Sequence, residues 1–180
     1  MRILLILLIG LSLPCSGKPQ EEFTAPGIAA EPVLTIHVML GEKIDVGQSD
    51  DGHRYIVPIT GGQFTGKIPQ NGIALAGTVI DGGADWQVNR ADQVKEIEAI
   101  YALRTDDGAT IVVNNTGIVH HLSGQRYAIT RPVLHAPTGR YDWLNKQFFI
   151  GTITSVSTPR SVIIRLFTVK DNGSRTGSDQ

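Results

Sequence analysis

The stretch EIEAIYALRTDDGATIVV, Glu96 to Val113, decides the fold. Ile97, Ala99, Tyr101 and Leu103 fall on one side of an extended chain, with Glu96, Glu98 and Arg104 on the other. A period of two sends alternate side chains to opposite faces, so this is a strand with one face in a core and one in water. Asp106-Asp107-Gly108 then has the chemistry of a tight hairpin turn, and a second apolar run opens at Ala109. Strands joined so closely pair antiparallel.

The same reading extends outward in both directions. Leu34, Ile36, Val38 and Leu40 alternate with Thr35, His37 and Met39, and further strands are predicted over 53–60, 73–80, 109–119, 127–134, 147–153 and 162–169. Pro69 to Gly72 reads as another turn. Residues 90–100 have some helical character, but their alternation favours a strand or a turn leading into one. About eight to ten strands, with no long helix, call for an antiparallel barrel or sandwich. Phe148 and Ile150 oppose Phe149 and Ile153, and Val162, Ile164 and Leu166 oppose Ile163, Phe167 and Val169. Strands apolar on both sides line a barrel interior with one face and need a subunit, a flap or the N-terminal arm over the other. The expectation is all-β: a single antiparallel up-and-down barrel, with a homo-oligomer as one way to cover its outer face.

The ends of the chain carry different information. Arg2, the apolar run Ile3 to Leu13 and Pro14-Cys15-Ser16-Gly17 describe a secretory signal peptide cleaved after Gly17. The run is shorter than the ~20 residues a membrane-spanning helix needs. A lipoprotein anchored through Cys15 is the competing reading, and Pro14 directly before the cysteine argues against it. Residues 1–17 are therefore assigned to the signal, 18–30 to a flexible arm, 31–169 to the barrel and 170–180 to a loose tail. The mature protein is expected to be secreted or periplasmic, with no membrane partner. Cys15, the only cysteine, leaves with the signal, so no disulfide or thiol chemistry follows. Loss of Arg2 leaves the 16 basic residues one fewer, against 17 acidic ones, and that balance gives no footprint for nucleic acid. Asn114 and Asn172 fit the glycosylation acceptor pattern.

Candidate chemistry centres on Asp81-Gly-Gly-Ala-Asp85-Trp86-Gln87, read as the start of a strand at the mouth of a pocket. The two glycines allow a backbone path that residues with a β-carbon resist. Asp85 and Trp86 take opposite faces, so only one of them lines a pocket. Asp85 is either a desolvated general acid–base with a raised pKa or a cap on the backbone amides of the glycine turn. Tyr101 faces inward, as a donor to a ligand carbonyl or as a core residue bonded to backbone. Arg131 shares a face with Tyr127, Ile129 and Val133. There it is an interior cation for a carboxylate or enolate, or else an ion-pair partner or an outward charge. Asp85, Tyr101 and Arg131 in one barrel would make a proton-transfer site. Trp86, Tyr141, Trp143 and Asn145 are the ligand-binding candidates. The last three form either an aromatic rim over a ligand or a loop held by its own aromatics. Turn chemistry accounts for Asp106 and Asp107.

Metal and cofactor chemistry find little support. His120 and His121 are adjacent and point apart in a strand, while His37, His53 and His135 lie on separate segments. Asp45, Asp50 and Asp51 lack calcium-loop spacing. There is no Gly-x-Ser-x-Gly elbow and no phosphate-binding glycine loop. No metal and no cofactor are expected.

Three separated stretches resemble one family. GGADW (Gly82 to Trp86), the Tyr101 strand running into RTDDGA (Arg104 to Ala109), and YDWLN (Tyr141 to Asn145) before Phe149-Ile150-Gly151 occur in the order and spacing of the domain-of-unknown-function 3237 family. The likeness covers roughly Pro32 to Val169. It implies a calycin-like antiparallel barrel and brings no agreed mechanism with it. The chain departs from the family pattern at Val88 to Val94, polar where a glycine-containing turn is expected, and near Arg131-Pro132, where an aromatic is missing. The function expected is a small-molecule-binding barrel acting as a cofactor-independent isomerase, cyclase, hydratase or lyase. A non-catalytic carrier of an apolar ligand and a solid structural barrel are the alternatives.

Overall fold

The computed structural model describes residues 27–69 and 71–171, so the signal segment, most of the arm, and Asn172 with the rest of the tail beyond Asp171 lie outside the described residues. Nine strands follow in order: β1 (Ile28–Leu40), β2 (Ile44–Ser49), β3 (Gly52–Lys67), β4 (Ala74–Asn89), β5 (Lys95–Thr105), β6 (Thr110–Leu122), β7 (Gln125–His135), β8 (Phe149–Val156) and β9 (Ser161–Asp171). A short 3-10 helix, Asp142–Lys146, sits between β7 and β8. From β3 to β9 each strand pairs antiparallel with the next. β1 pairs with both β9 and β3, which closes eight strands into an up-and-down barrel. β2 pairs with β3 alone and stands outside the ring.

Pairing extends further than hydropathy suggested. Ile28, Ala29 and Ala30 lie opposite Asp171, Lys170 and Val169, so residues assigned to the arm and the tail join the closing ladder. Backbone amides and carbonyls drive that pairing whatever the side chains are. A Lys170–Glu31 ion pair of 2.6 Å crosses the same ladder. β3 and β4 are each 16 residues long, because Thr60–Gly62 and Asp81–Gly83 are irregularities inside strands and not strand ends. The β3–β4 register shifts between Ile59 and Gln63, and the β4–β5 register between Ile80 and Ala84. Extra residues of this kind bend a strand and increase its twist, which a closed barrel requires.

The core fills the ring from one face of every strand, with Ile36, Phe64, Leu75, Leu103, Val113, Phe149 and Leu166 among its fully buried members. The hairpin Asp106-Asp107-Gly108 forms as expected, with Gly108 N–H donating to Thr105 C=O at 2.8 Å. Up-and-down order puts the 41–43 loop and the β2–β3, β4–β5, β6–β7 and β8–β9 turns at one end of the barrel. The 3-10 helix and the β5–β6 turn lie at the other, where buried Leu144 plugs the base. Outside the ring, Phe148 is 60% exposed and Ile150, Ile163, Phe167 and Val169 are half-buried. Asn114 stands mid-strand in β6 with its Oδ1 buried.

Candidate functional site

Past its bulge, β4 turns Asp85 and Gln87 into the barrel and Trp86 out, leaving the indole 42% exposed. β5 directs Lys95, Ile97, Ala99 and Tyr101 to the same interior. Register places Asp85 beside Ala99 and Ala99 beside Asn115 of β6, so the carboxylate and the amide share one level, a strand apart. These side chains line a cavity of about 100 Å³, walled elsewhere by Val38, Ile59, Ile153 and Ile164. Gly83 makes the arrangement fit. A β-carbon there would stand 2.6 Å from Tyr101 Cβ and 2.7 Å from Ile100 C=O, so glycine lets β4 lie against the strand that carries the phenol.

Among the described residues the polar atoms in this cavity find few partners. Asp85 Oδ2 accepts from Gln87 Nε2 at 2.6 Å, while Oδ1 is buried with no hydrogen bond. Burial pushes the Asp85 carboxyl above its ordinary range, against opposing pulls from the Gln87 amide, the Glu98 backbone amide and the Lys95 charge. The Tyr101 hydroxyl is buried without a partner. Burial first, and the nearby Asp85 charge second, raise its pKa, so the phenol keeps its proton. Asn115 is 1% exposed and neither end of its amide is bonded. Buried polar groups are nearly always satisfied by protein or by ordered water, so a cluster of orphans around one cavity marks where a polar guest belongs.

Arg131 is not among these groups, which corrects the expected trio. It is exposed on the outer face of β7, in one cross-strand row with Trp86, Glu98 and Thr116. The inner face of β7 is Ala128, Thr130, Pro132 and Leu134, while the bulkier Tyr127 and Val133 point out. Space inside decides this. β8 comes so near that a β-carbon on Gly151 would stand 2.3 Å from Thr130 Oγ1. Trp86 lies on the same outer surface as Arg131 and takes no part in the cavity.

Tyr141, Trp143 and Asn145 sit at the closed end, away from the cavity. The Tyr141 hydroxyl donates to Asp107 Oδ1 at 2.9 Å, and Arg140 Nη1 lies 3.2 Å from Asp107 Oδ2. The Thr105 and Tyr141 hydroxyls hold the Asp107 carboxyl below its ordinary range, with help from the Arg140 charge. Asn145 grips the Ala136 backbone twice, accepting from N–H at 2.8 Å and donating to C=O at 2.9 Å. Trp143 meets Phe149 edge to face, with centroids 6.4 Å apart. This is a loop anchored by its own side chains. The histidines are dispersed: His37 bonds Ser161, His53 bonds Asp45, and His120 stacks on Tyr127. Among the described residues no three His, Cys, Asp or Glu side chains converge to hold a metal.

Five polar cavity residues were not singled out from the sequence: Gln87, Lys95, Asn115, Arg126 and Ser155. Asn115 had a signal, since it breaks the inward apolar series Ile111, Val113. Lys95 had one too, lying in register with Ile97 and Ala99.

A family model described as a protein of unknown function, DUF3237, matches residues 28–169. The chain belongs to the DUF3237 family. A UPF0311 protein of Bradyrhizobium diazoefficiens is 38% identical over 141 residues, 71% of this chain and 88% of that protein. A UPF0311 protein of Rhodopseudomonas palustris is 33% identical over the same shares. Among solved structures, a beta-barrel like protein from Acinetobacter baumannii is 29% identical with TM-score 0.73, covering 83% of this chain and 100% of that one. A chain described as an enzyme from Penicillium herquei aligns at TM-score 0.63 and 22% identity over 82% and 96% of the two chains, a likeness of fold.

In this DUF3237 barrel the three motif stretches part company. GGADW serves the cavity, whereas RTDDGA and YDWLN meet through Asp107 and Tyr141 to fasten the base. The β4–β5 turn, where the family pattern called for glycine, puts Gln93 at φ 68°, the left-handed region that glycine favours.

Proposed function

We propose that the barrel interior is an acid–base site for a small organic metabolite, with Asp85 as the proton carrier and no cofactor required. One observation carries the reading. Asp85 Oδ1, the Tyr101 hydroxyl and the Asn115 amide are all buried, without a hydrogen-bond partner among the described residues, and turned into one cavity. Asp85 Oδ1 takes a proton from a carbon next to a carbonyl. The C–H electron pair moves into the carbonyl, and the oxygen that becomes negative receives hydrogen bonds from Tyr101 and Asn115 Nδ2. Returning the proton to another atom isomerises the substrate; attack or loss at the activated position gives cyclisation, hydration or elimination. A carboxylate with a raised pKa suits this work, being a stronger base near neutral pH than a free aspartate. An apolar carrier would want a cavity of roughly 300 Å³ or more with few polar groups, whereas this cavity is smaller and sets Asp85, Tyr101 and Asn115 among its apolar walls. Export of the mature protein belongs to the same proposal and rests on Ile3 to Leu13 with the small residues before Lys18. Intact mass of protein from its native host tests that part, with Lys18 as the expected first residue and an uncleaved Met1 chain as the contrary result.

Proton transfer is read directly by deuterium incorporation from D2O into the methyl group of aryl methyl ketones, followed by NMR. The wild type is expected to accelerate exchange and Asp85→Asn to lose about 10²-fold or more, the usual scale for a positioned general base. Equal exchange in the two proteins would remove Asp85 from the chemistry.

A further inference from the structure

The Asp85 cavity adjoins a wider vestibule of about 430 Å³, and the two share Lys95, Val119, Arg126 and Ser155. His120 and His121 also border the vestibule, and among the described residues no Asp or Glu does. Lys95 and Arg126 occupy the inward register at the turn ends of β5 and β7, so they stand where a molecule would enter. Arg126 Nη1 is tied to the Ile153 carbonyl. Lys95 is half-buried, and among the described residues it forms no ion pair. Burial and the charges of Lys43, Arg126 and Arg160 all disfavour its ammonium, with Asp85 alone pulling the other way. Of those cations, Arg160 reaches toward Glu42 at 3.9 Å, and Glu42 is fully exposed, which leaves its charge well screened. A half-buried ammonium at a cavity mouth with no ion-pair partner among the described residues is a natural seat for an anionic group.

We infer that the substrate of this site is an organic anion, its negative group held by Lys95 and Arg126 at the entrance and its reacting carbon presented to Asp85 inside. The inference builds on the acid–base reading of the cavity. Four residues of β5, about 13 Å of strand, separate Lys95 from Ala99, the cross-strand partner of Asp85. The anionic group and the reacting carbon therefore lie at opposite ends of the substrate. Between them run Leu40, Ile97, Val119, Ile153 and Val162, an apolar sleeve suited to an aromatic or aliphatic body. Arg131, the cation first assigned to this role, is replaced by two that line the route.

The matched probes 4-acetylbenzoate and 4-acetylbenzamide carry the same ketone opposite a charged or a neutral end, and calorimetry compares their affinities. The acid is expected to bind about ten-fold more tightly than the amide, a difference of about 1.4 kcal/mol. Lys95→Met and Arg126→Met should each remove most of that preference, bringing the ratio of the two affinities towards one, and near-UV circular dichroism checks that the barrel is intact. Equal affinities, a preference that survives the double variant, or no saturable binding of the acid would overturn the inference. Asp85→Asn separates the two ideas. Preference for the acid together with ketone exchange indifferent to Asp85→Asn keeps the anion site and sinks the acid–base reading. Exchange that needs Asp85 but shows no preference for the acid does the reverse.

Discussion

Asp85 holds a carboxyl where the fold pays for its charge. Desolvation outweighs the Gln87, Glu98 and Lys95 contributions, so its folded-state pKa lies above the ordinary 3.8. Below that ordinary value the group is protonated in both states and costs nothing. Between the two pKa values the unfolded chain ionises while the folded chain keeps its proton, so stability falls as pH rises. Above the folded pKa the full penalty stays. Asp85→Asn is therefore expected to raise the thermal midpoint at pH 7, with the gain shrinking to nothing below about pH 4, near the free aspartate value. A gain independent of pH would mean that packing, and not charge, sets it. Asp85 was legible as a candidate because glycines, carboxylate and indole stood together. Its desolvation was not, because that depends on the walls supplied by β1, β5, β8 and β9.

Strands β4 and β7 show what alternation can and cannot say. In β4 the sequence marked a special backbone at Gly82-Gly83 but suggested a strand end, where the structure has a bulge within one long strand. The reason lies in β5: Gly83 is small because Tyr101 passes over it. Gly83→Ala should cost about 1–3 kcal/mol, as overpacking usually does, seen in urea unfolding as a lower midpoint at unchanged slope. A neutral result would mean that β4 shifts freely against β5, and the placement of Asp85 would lose its rigidity. In β7 both faces carry apolar residues, so period two gave two solutions and hydropathy favoured the wrong one for Arg131. Crowding between Thr130 and Gly151 selected the other face. The aromatic missing near Arg131-Pro132 lies away from the cavity wall, which β7 borders among the described residues only through Arg126.

At the scale of the molecule the barrel divides labour between its ends. The base is fastened by Asp107, Tyr141 and Asn145, and the mouth carries cations above a polar cavity. Closure through β1 joins the first and last strands, so eight strands have a hydrogen-bonded neighbour on both sides and β2 has one. Local opening starts where a strand is paired on one side only. Native-state hydrogen exchange should find β2 amides exchanging by local opening, with the central amides of β1, β5 and β9 exchanging only through global unfolding. Slow β2 exchange at the global rate would show the ninth strand to be part of the cooperative unit.

The sequence by itself determined the eight strands of the ring, though neither β2 nor the full lengths of β3 and β4, together with the tight turn at Asp106-Asp107-Gly108, the antiparallel all-β class and the family, because those follow from side-chain period and local backbone preference. It also nominated Asp85 and Tyr101, which do meet in one cavity. Tertiary structure alone decided which face of β7 is inside, that Tyr141, Trp143 and Asn145 brace the base, and that Lys95, Asn115 and Arg126 join the site. Each of those depends on how closely strands far apart in the chain approach across the ring. Local sequence carries no record of that distance.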